Sequence, residues 1–168
     1  VQLAEKAGAR AICEPDLSAL AWRGKIYAVT GTNGKTTLTS FLERALNLAG
    51  INAVSAGNIG KPLSAFCAEM DDTSTTAAVC ELSSFQTSRL EFLCPDALLW
   101  TNFAPDHLDW HTDMREYFSA KFNLVKNLKT KFLFAGSDVF EAAKEYGFKI
   151  PDFAKIPSQI DARECPKP

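Results

Sequence analysis

The residues best suited to chemistry lie in the run Gly31-Thr32-Asn33-Gly34-Lys35-Thr36-Thr37. Small and flexible residues let successive backbone N–H groups turn inward around phosphate oxygens, and a helix beginning there adds partial positive charge. Lys35 is then placed to neutralise the outer phosphates, and the Thr36 hydroxyl to ligate Mg²⁺. The run departs from the usual phosphate-loop pattern, which has a glycine where Val29 stands. A glycine turn leading into a capped helix, with no phosphate, is the alternative reading of the same residues.

Further candidates follow along the chain. Glu81 ends the apolar run Ala77-Ala78-Val79-Cys80, so a parallel strand there delivers its carboxylate to the edge where ligands of open α/β sheets gather. That position suits Mg²⁺, although a plain surface glutamate at a strand end would look the same. His107 follows the apolar run at 97–101, at the same ligand edge, and taken alone suits a capping or hydrogen-bonding role; His111 lies four residues on and is given no ligand role. Lys121 falls in line with Tyr117, Leu124, Val125 and Leu128 at helical spacing. Burial there would favour a neutral amine, able to react with carbon dioxide to give a carbamate. The other reading is a lysine whose stem covers apolar surface while its ammonium reaches water. Asn58, in the turn Gly57-Asn58-Ile59-Gly60, is suited to hydrogen-bonding a substrate amide or phosphate, with Ser83, Ser84 and Gln86 as a supporting wall.

The elements that must position these groups are legible as alternating patterns. Residues 25–30 read as a strand, and residues 36–49 as a helix carrying Leu38, Phe41, Leu42, Ala45, Leu46 and Ala49 at helical spacing, with Gly50 as its C-terminal stop. Strand-like runs at 52–56, 77–82, 97–101 and 131–135 alternate with helical stretches predicted at 62–69, 84–91, 113–128 and 138–146. Such alternation implies an α/β fold: a mostly parallel sheet flanked by helices. Trp22-Arg23-Gly24 reads as a linker, and the end containing Pro151, Pro157, Pro166 and Pro168 offers no finished element. Both ends read as cut edges, Val1 as an internal residue and the whole as a truncated domain.

Bulk properties narrow the class. The 168 residues suit one domain, and 46% apolar with 23% charged residues is ordinary globular composition. A net charge of −2 supplies no basic field for nucleic acid, and no apolar run approaches the roughly 20 residues that span a bilayer. Residues 1–22 carry charges throughout and lack the centre of a signal peptide. Five cysteines (Cys13, Cys67, Cys80, Cys94, Cys165) include no C-x-x-C pair, which disfavours a disulfide framework or zinc site and suits a reducing cytosol.

The shortened loop resembles that of the Mur ligases and folylpolyglutamate synthases, which explains Val29. Gly57-Asn58-Ile59-Gly60 and Glu81-Leu82-Ser83-Ser84-Phe85-Gln86 look like signatures of the D-glutamate-adding branch of the Mur ligase family. Asp106-His107-Leu108-Asp109-Trp110-His111, with Tyr117 and Ala120-Lys121, is similar to the family's metal-site stretch and helical lysine. The resemblance runs from about residue 25 to 136. It implies a P-loop-type ATPase domain, with residues 1–23 a remnant of an N-terminal domain and linker and residues 24–168 a central ATP-binding domain incomplete at its C-terminal end.

It also implies roles: Gly31 to Thr37 for the nucleotide; Lys35, His107 and Lys121 for catalysis; Thr36, Glu81, His107 and carbamylated Lys121 for two Mg²⁺ ions; Asn58, Ser83 and Gln86 for substrate. The implied substrates are ATP, UDP-N-acetylmuramoyl-L-alanine and D-glutamate, joined through an acyl phosphate by a monomeric bacterial cytoplasmic enzyme. Residues 1–168 alone are expected to be inactive. Rival readings are another ligase of the same ATPase type and a non-ligating nucleotide-binding protein; no Asn-Lys-x-Asp guanine-reading sequence is present.

Overall fold

The apolar runs become strands that are buried on both faces at the sheet's middle and chiefly on one face toward its edges. In the computed structural model, which describes residues 6–9 and 11–157, five strands form: β1 (Ile26–Thr30), β2 (Ala53–Gly57), β3 (Ala77–Glu81), β4 (Ala97–Trp100) and β5 (Leu133–Ala135). They lie in the order β2-β3-β1-β4-β5, and every neighbouring pair is parallel. β3 is buried along its whole length, as expected beside the centre of a sheet covered on both faces. Cys165 and the closing prolines Pro166 and Pro168 lie outside the described residues. The four described cysteines are free thiols, and burial pushes Cys80 up to about 12.

Helices carry the chain between strands: α1 (Glu14–Ser18) precedes the sheet, and α2 (Lys35–Leu48), α3 (Leu63–Glu69), α4 (Ser84–Thr87) and α5 (Met114–Lys126) occupy the connections, with α6 (Ser137–Tyr146) after β5. Asp113 caps α5 by accepting the Glu116 amide at 2.7 Å, and Gly147 closes α6 with φ 77°. The main core joins one sheet face (Ile26, Ala28, Ala78, Cys80, Leu98, Trp100) to Tyr117, Phe118, Phe122 and Leu124 of α5 and Val139 of α6. The opposite face is covered by α2 over β2 and β3. Its far side, where Tyr27, Leu99 and Phe134 meet Leu42 and Leu46, remains an open groove of about 350 Å³. Hence the apolar stripe of α2 is only partly covered, and Phe41 is 67% exposed.

The segment predicted as a helix over 84–91 stops at Thr87. Its continuation is claimed by Asp16, fully buried on α1, whose carboxylate accepts the amides of Glu91, Phe92 and Leu93 at 3.1, 2.8 and 2.7 Å. An ionised acceptor makes shorter and stronger bonds than a carbonyl, so the chain turns toward it. The stretch expected to be a linker is also held: Trp22 is buried, the Arg23 amide donates to Thr73 Oγ1 at 2.9 Å, and a Cβ on Gly24 would stand 1.9 Å from the Thr76 carbonyl oxygen. Near the other end Lys155 pairs with Phe134 in an isolated parallel bridge, extending the sheet beside β5.

Candidate functional site

Parallel strands bring their carboxyl ends to one edge, and registry decides which residues meet there. Glu81 is level with Val29 of β1 and Gly57 of β2, and Trp100 with Thr30, so the loops after β1, β2, β3 and β4 converge. The convergence is tight at Gly57, with φ 96°, where a Cβ would lie 2.3 Å from the Glu81 carbonyl oxygen. That approach allows the Asn58 amide to donate to the same oxygen at 2.8 Å, and its side-chain Nδ2 to reach Glu81 Oε1 at 3.3 Å. Asn58, expected to face a substrate, is thus turned onto the carboxylate.

The loop at 31–37 sits between β1 and α2 as predicted, but two of its amides are committed elsewhere. Thr32 N and Asn33 N donate to Asn102 Oδ1 at 3.1 and 2.8 Å, and Asn102 Nδ2 returns a bond to Asn33 O. The amides of the first turn of α2, from Lys35 onward, have no acceptor within the helix and face outward with its positive end. Asn102 was missed by sequence reasoning. Its signal was its place just after a strand, at the edge where loops of such sheets meet ligands. Gly31 has φ 148°, and a Cβ there would fall 1.9 Å from Thr101 Oγ1, so only glycine fits the crossing of these two loops.

Two lysine side-chain nitrogens converge on the Gly31 carbonyl oxygen. Lys35 Nζ, half-buried, donates to it at 3.0 Å and to Thr32 O at 2.7 Å; Lys121 Nζ donates to it at 2.9 Å. Lys121 is 1% exposed, which removes the reading in which its ammonium reaches water. Its Nζ lies 4.8 Å from the centre of the Tyr117 ring. Burial, the largest influence, and then the charge of Lys35 push its pKa down from 10.5 to about 7. Tyr117 OH in turn lies 3.2 Å from Thr32 Oγ1, tying the loop to α5.

On the other side of the loop, Thr36 Oγ1 donates to Glu81 Oε2 at 2.8 Å. This pair is a set of hard oxygen donors. Among the described residues no three His, Cys, Asp or Glu side chains come together. Such a donor set fits Mg²⁺, which accepts one or two carboxylates and completes its shell with phosphate oxygens and water. Gln86 and Ser83 close a capping box at the start of α4: Ser83 N and Oγ each donate to Gln86 Oε1 at 3.0 Å, and the Gln86 amide donates to Ser83 Oγ at 3.4 Å. Both expected substrate contacts therefore serve the turn that follows Glu81.

His107 lies in the segment between β4 and α5. It has φ 54°, unusual for a residue with a side chain, and its ring lies 4.9 Å from Phe85 and 5.9 Å from Tyr117, with Nε2 3.5 Å from Asp106 Oδ2. Of the four expected metal residues the structure thus joins Thr36 to Glu81 directly, and links Lys121 to the loop through Gly31. His107 and Lys121 are connected by way of Tyr117. His111 is 2% exposed, with Nε2 3.0 Å from Ser84 Oγ. Burial, the largest influence, holds its pKa below the ordinary value, while Glu116 pulls the other way.

A parallel sheet, a glycine-rich loop running into a helix, and a lysine, a threonine and a strand-end carboxylate around that loop define a P-loop-type α/β domain. The family model for the Mur ligase middle domain matches residues 29–154, well over half of the chain, and the chain belongs to the Mur ligase family. Similar curated proteins include the UDP-N-acetylmuramoylalanine--D-glutamate ligases of Leuconostoc citreum (40% identical, covering 89% of this chain and 31% of that protein) and Natranaerobius thermophilus (42% identical, covering 64% and 23%). That of Corynebacterium efficiens is 50% identical over 56% of this chain and 19% of its own length. The chain thus spans about a quarter of the length of the curated relatives it matches. A solved UDP-N-acetylmuramoyl-L-alanyl-D-glutamate--2,6-diaminopimelate ligase shares the fold, with a TM-score of 0.57 at 20% identity, covering 92% of this chain and 33% of that one.

Proposed function

We propose that this chain is the ATP-binding middle portion, from about residue 24, of a bacterial cytoplasmic ligase that joins D-glutamate to UDP-N-acetylmuramoyl-L-alanine. The observation that carries this reading is the Lys35, Thr36 and Glu81 arrangement at one sheet edge, in a chain similar to ligases named for that reaction. In the reaction, the terminal carboxylate of the muramoyl substrate attacks the γ-phosphorus of ATP and ADP leaves, giving an acyl phosphate. The amine of D-glutamate then attacks the acyl carbon, phosphate departs, and the amine proton is lost to solvent.

Lys35 exchanges its two loop carbonyls for phosphate oxygens, because a bond between two charged groups outweighs bonds to neutral carbonyls. The outward amides of α2 bind the same anion. Thr36 and Glu81 would hold Mg²⁺, which when bound offsets the repulsion between the triphosphate and the attacking carboxylate. Lys121, with a pKa of about 7, has a neutral amine available to combine with carbon dioxide and release a proton, giving a carbamate anion beside the loop. His107 faces that region across Tyr117, where it would serve a second ion with the carbamate. Asn58, Ser83 and Gln86 shape the wall behind Glu81, and Asn58 is free to exchange its long 3.3 Å bond for a substrate group. Positioning and charge compensation supply the catalysis, as in phosphoryl transfer generally.

The test is an assay of the complete protein containing this chain, measuring ADP release with UDP-N-acetylmuramoyl-L-alanine and each candidate amino acid in turn. D-Glutamate alone should sustain turnover. Equal turnover with another amino acid, or none with D-glutamate, sinks the assignment.

A further inference from the structure

His111 belongs to no role described so far, yet its ring is more deeply buried than most residues of the site, at 2% exposure. A buried imidazole needs partners for two nitrogens, and this one has a partner for one. Nε2 meets Ser84 Oγ at 3.0 Å, while Nδ1 is buried with no hydrogen-bond partner. A phenyl ring would avoid the unmet nitrogen, and what the imidazole has in its place is the Ser84 bond.

What that bond connects is specific. The His111 amide donates to His107 O at 3.0 Å and the Trp110 amide to the same oxygen at 3.1 Å, closing the turn on which His107 stands at φ 54°. A side-chain residue in that conformation persists only where its surroundings hold it. On the far side, Ser84 is 1% exposed and opens α4, immediately after the Ser83 cap and three residues beyond Glu81. The His111 ring is also clamped, lying parallel to Phe85 with centroids 6.0 Å apart and 5.2 Å from the Tyr117 ring.

We infer that His111 is a positioning residue: through Ser84 it fastens the turn presenting His107 to the strand end presenting Glu81, and so sets the spacing of the two halves of the site. The inference rests on the ligase reading for its catalytic meaning, but the fastening itself does not. Loss of the bond lets the turn drift while leaving the loop at 31–37 untouched. Reaction geometry is sensitive to such drift, since displacements near 1 Å can cost roughly 10²-fold.

The experiment uses the complete protein with His111→Phe, which keeps an aromatic ring in the stack, and Ser84→Ala, which cuts the same bond from the other side. His111→Gln, whose amide can still reach Ser84, is the conservative variant. Each cutting variant should lower kcat at least about tenfold with KM for ATP within twofold. The double variant should be no worse than either single, as expected for one shared interaction, and the Gln variant should recover most of the rate.

A second readout is independent of activity. Trp110, 65% exposed and edge-on to Phe85 at 5.2 Å, adjoins the fastened turn, so its contribution to fluorescence anisotropy, isolated by difference from matched Trp110→Phe proteins, should fall in both cutting variants and return with Gln. Unchanged kcat and anisotropy in His111→Phe, or fully additive losses, overturn the inference. A fall in anisotropy in the cutting variants of a protein whose wild type shows no D-glutamate-dependent turnover would uphold the fastening and remove only the ligase reading. If thermal unfolding shows that His111→Phe fails to fold, Ser84→Ala decides alone.

Discussion

Lys35 reaches the Gly31 carbonyl from the rim of the loop, half-buried and bonded besides to Thr32 O, whereas Lys121 reaches the same oxygen from inside the core, 1% exposed under the Tyr117 ring. The two side chains are identical and their acceptor is shared, so what separates them is solvent. At the rim an ammonium keeps its hydration and can swing to an arriving anion at the cost of two neutral hydrogen bonds. In the core the charge is disfavoured and the pKa falls to about 7. The pair shows how one fold edge can hold the same side chain in two different solvent environments.

Removing the cation should have the largest effect. Lys35→Ala in the complete protein is expected to cut ligation on the order of 10³-fold, as when a donor to developing charge is deleted. Steady-state turnover with saturating ATP measures it, and a rate near wild type would make the rim lysine dispensable and the contrast empty. Lys121→Ala should cost on the order of 10²-fold, the scale seen when groups supporting a metal are lost. Short-chain carboxylic acids added to the assay should restore part of that rate if a carbamate is what the site uses. Full activity without any additive would leave Lys121 a packing residue.

The contrast can be sharpened by pH. Between the folded pKa of about 7 and the ordinary 10.5, the unfolded chain binds a proton at Lys121 that the folded chain lacks. Stability must therefore rise with pH across that window. The penalty for burying the ammonium is present in full below pH 7 and is relieved as pH climbs. Urea denaturation in carbon dioxide-free buffer at pH 7 and 9.5 should show wild type gaining on Lys121→Met. Parallel changes in the two proteins would mean that the amine is not depressed. The smallest effect concerns the bridge between the two lysine environments. Tyr117→Phe deletes the 3.2 Å contact with Thr32 Oγ1 and should cost about 0.5–1.5 kcal/mol by urea melts, with the loop otherwise intact.

Much of this was readable from the sequence wherever a local pattern had a single physical outcome. The strand at 25–30 and the helix after Gly34 appear within a residue of their predicted limits, because alternation of apolar runs and turns leaves few ways to build a parallel sheet. Glu81 lies at the strand end anticipated for it. What could not be read were choices made by residues distant along the chain. Nothing in 84–91 announces that Asp16 will take the amides of Glu91, Phe92 and Leu93 and end the helix at Thr87. Nothing in 31–37 announces that Asn102 will occupy two of its amides. Ser83 and Gln86 illustrate a third case: their spacing is that of a capping box, a local signal that a substrate-facing reading passed over.

The grip of Asp16 has a mechanical consequence. With its carboxylate locked into the segment after α4, Trp22 buried and Gly24 wedged against Thr76, α1 moves as part of the sheet rather than as a tether to it. Displacement of α1 is thereby coupled, through one carboxylate, to residues 91–93.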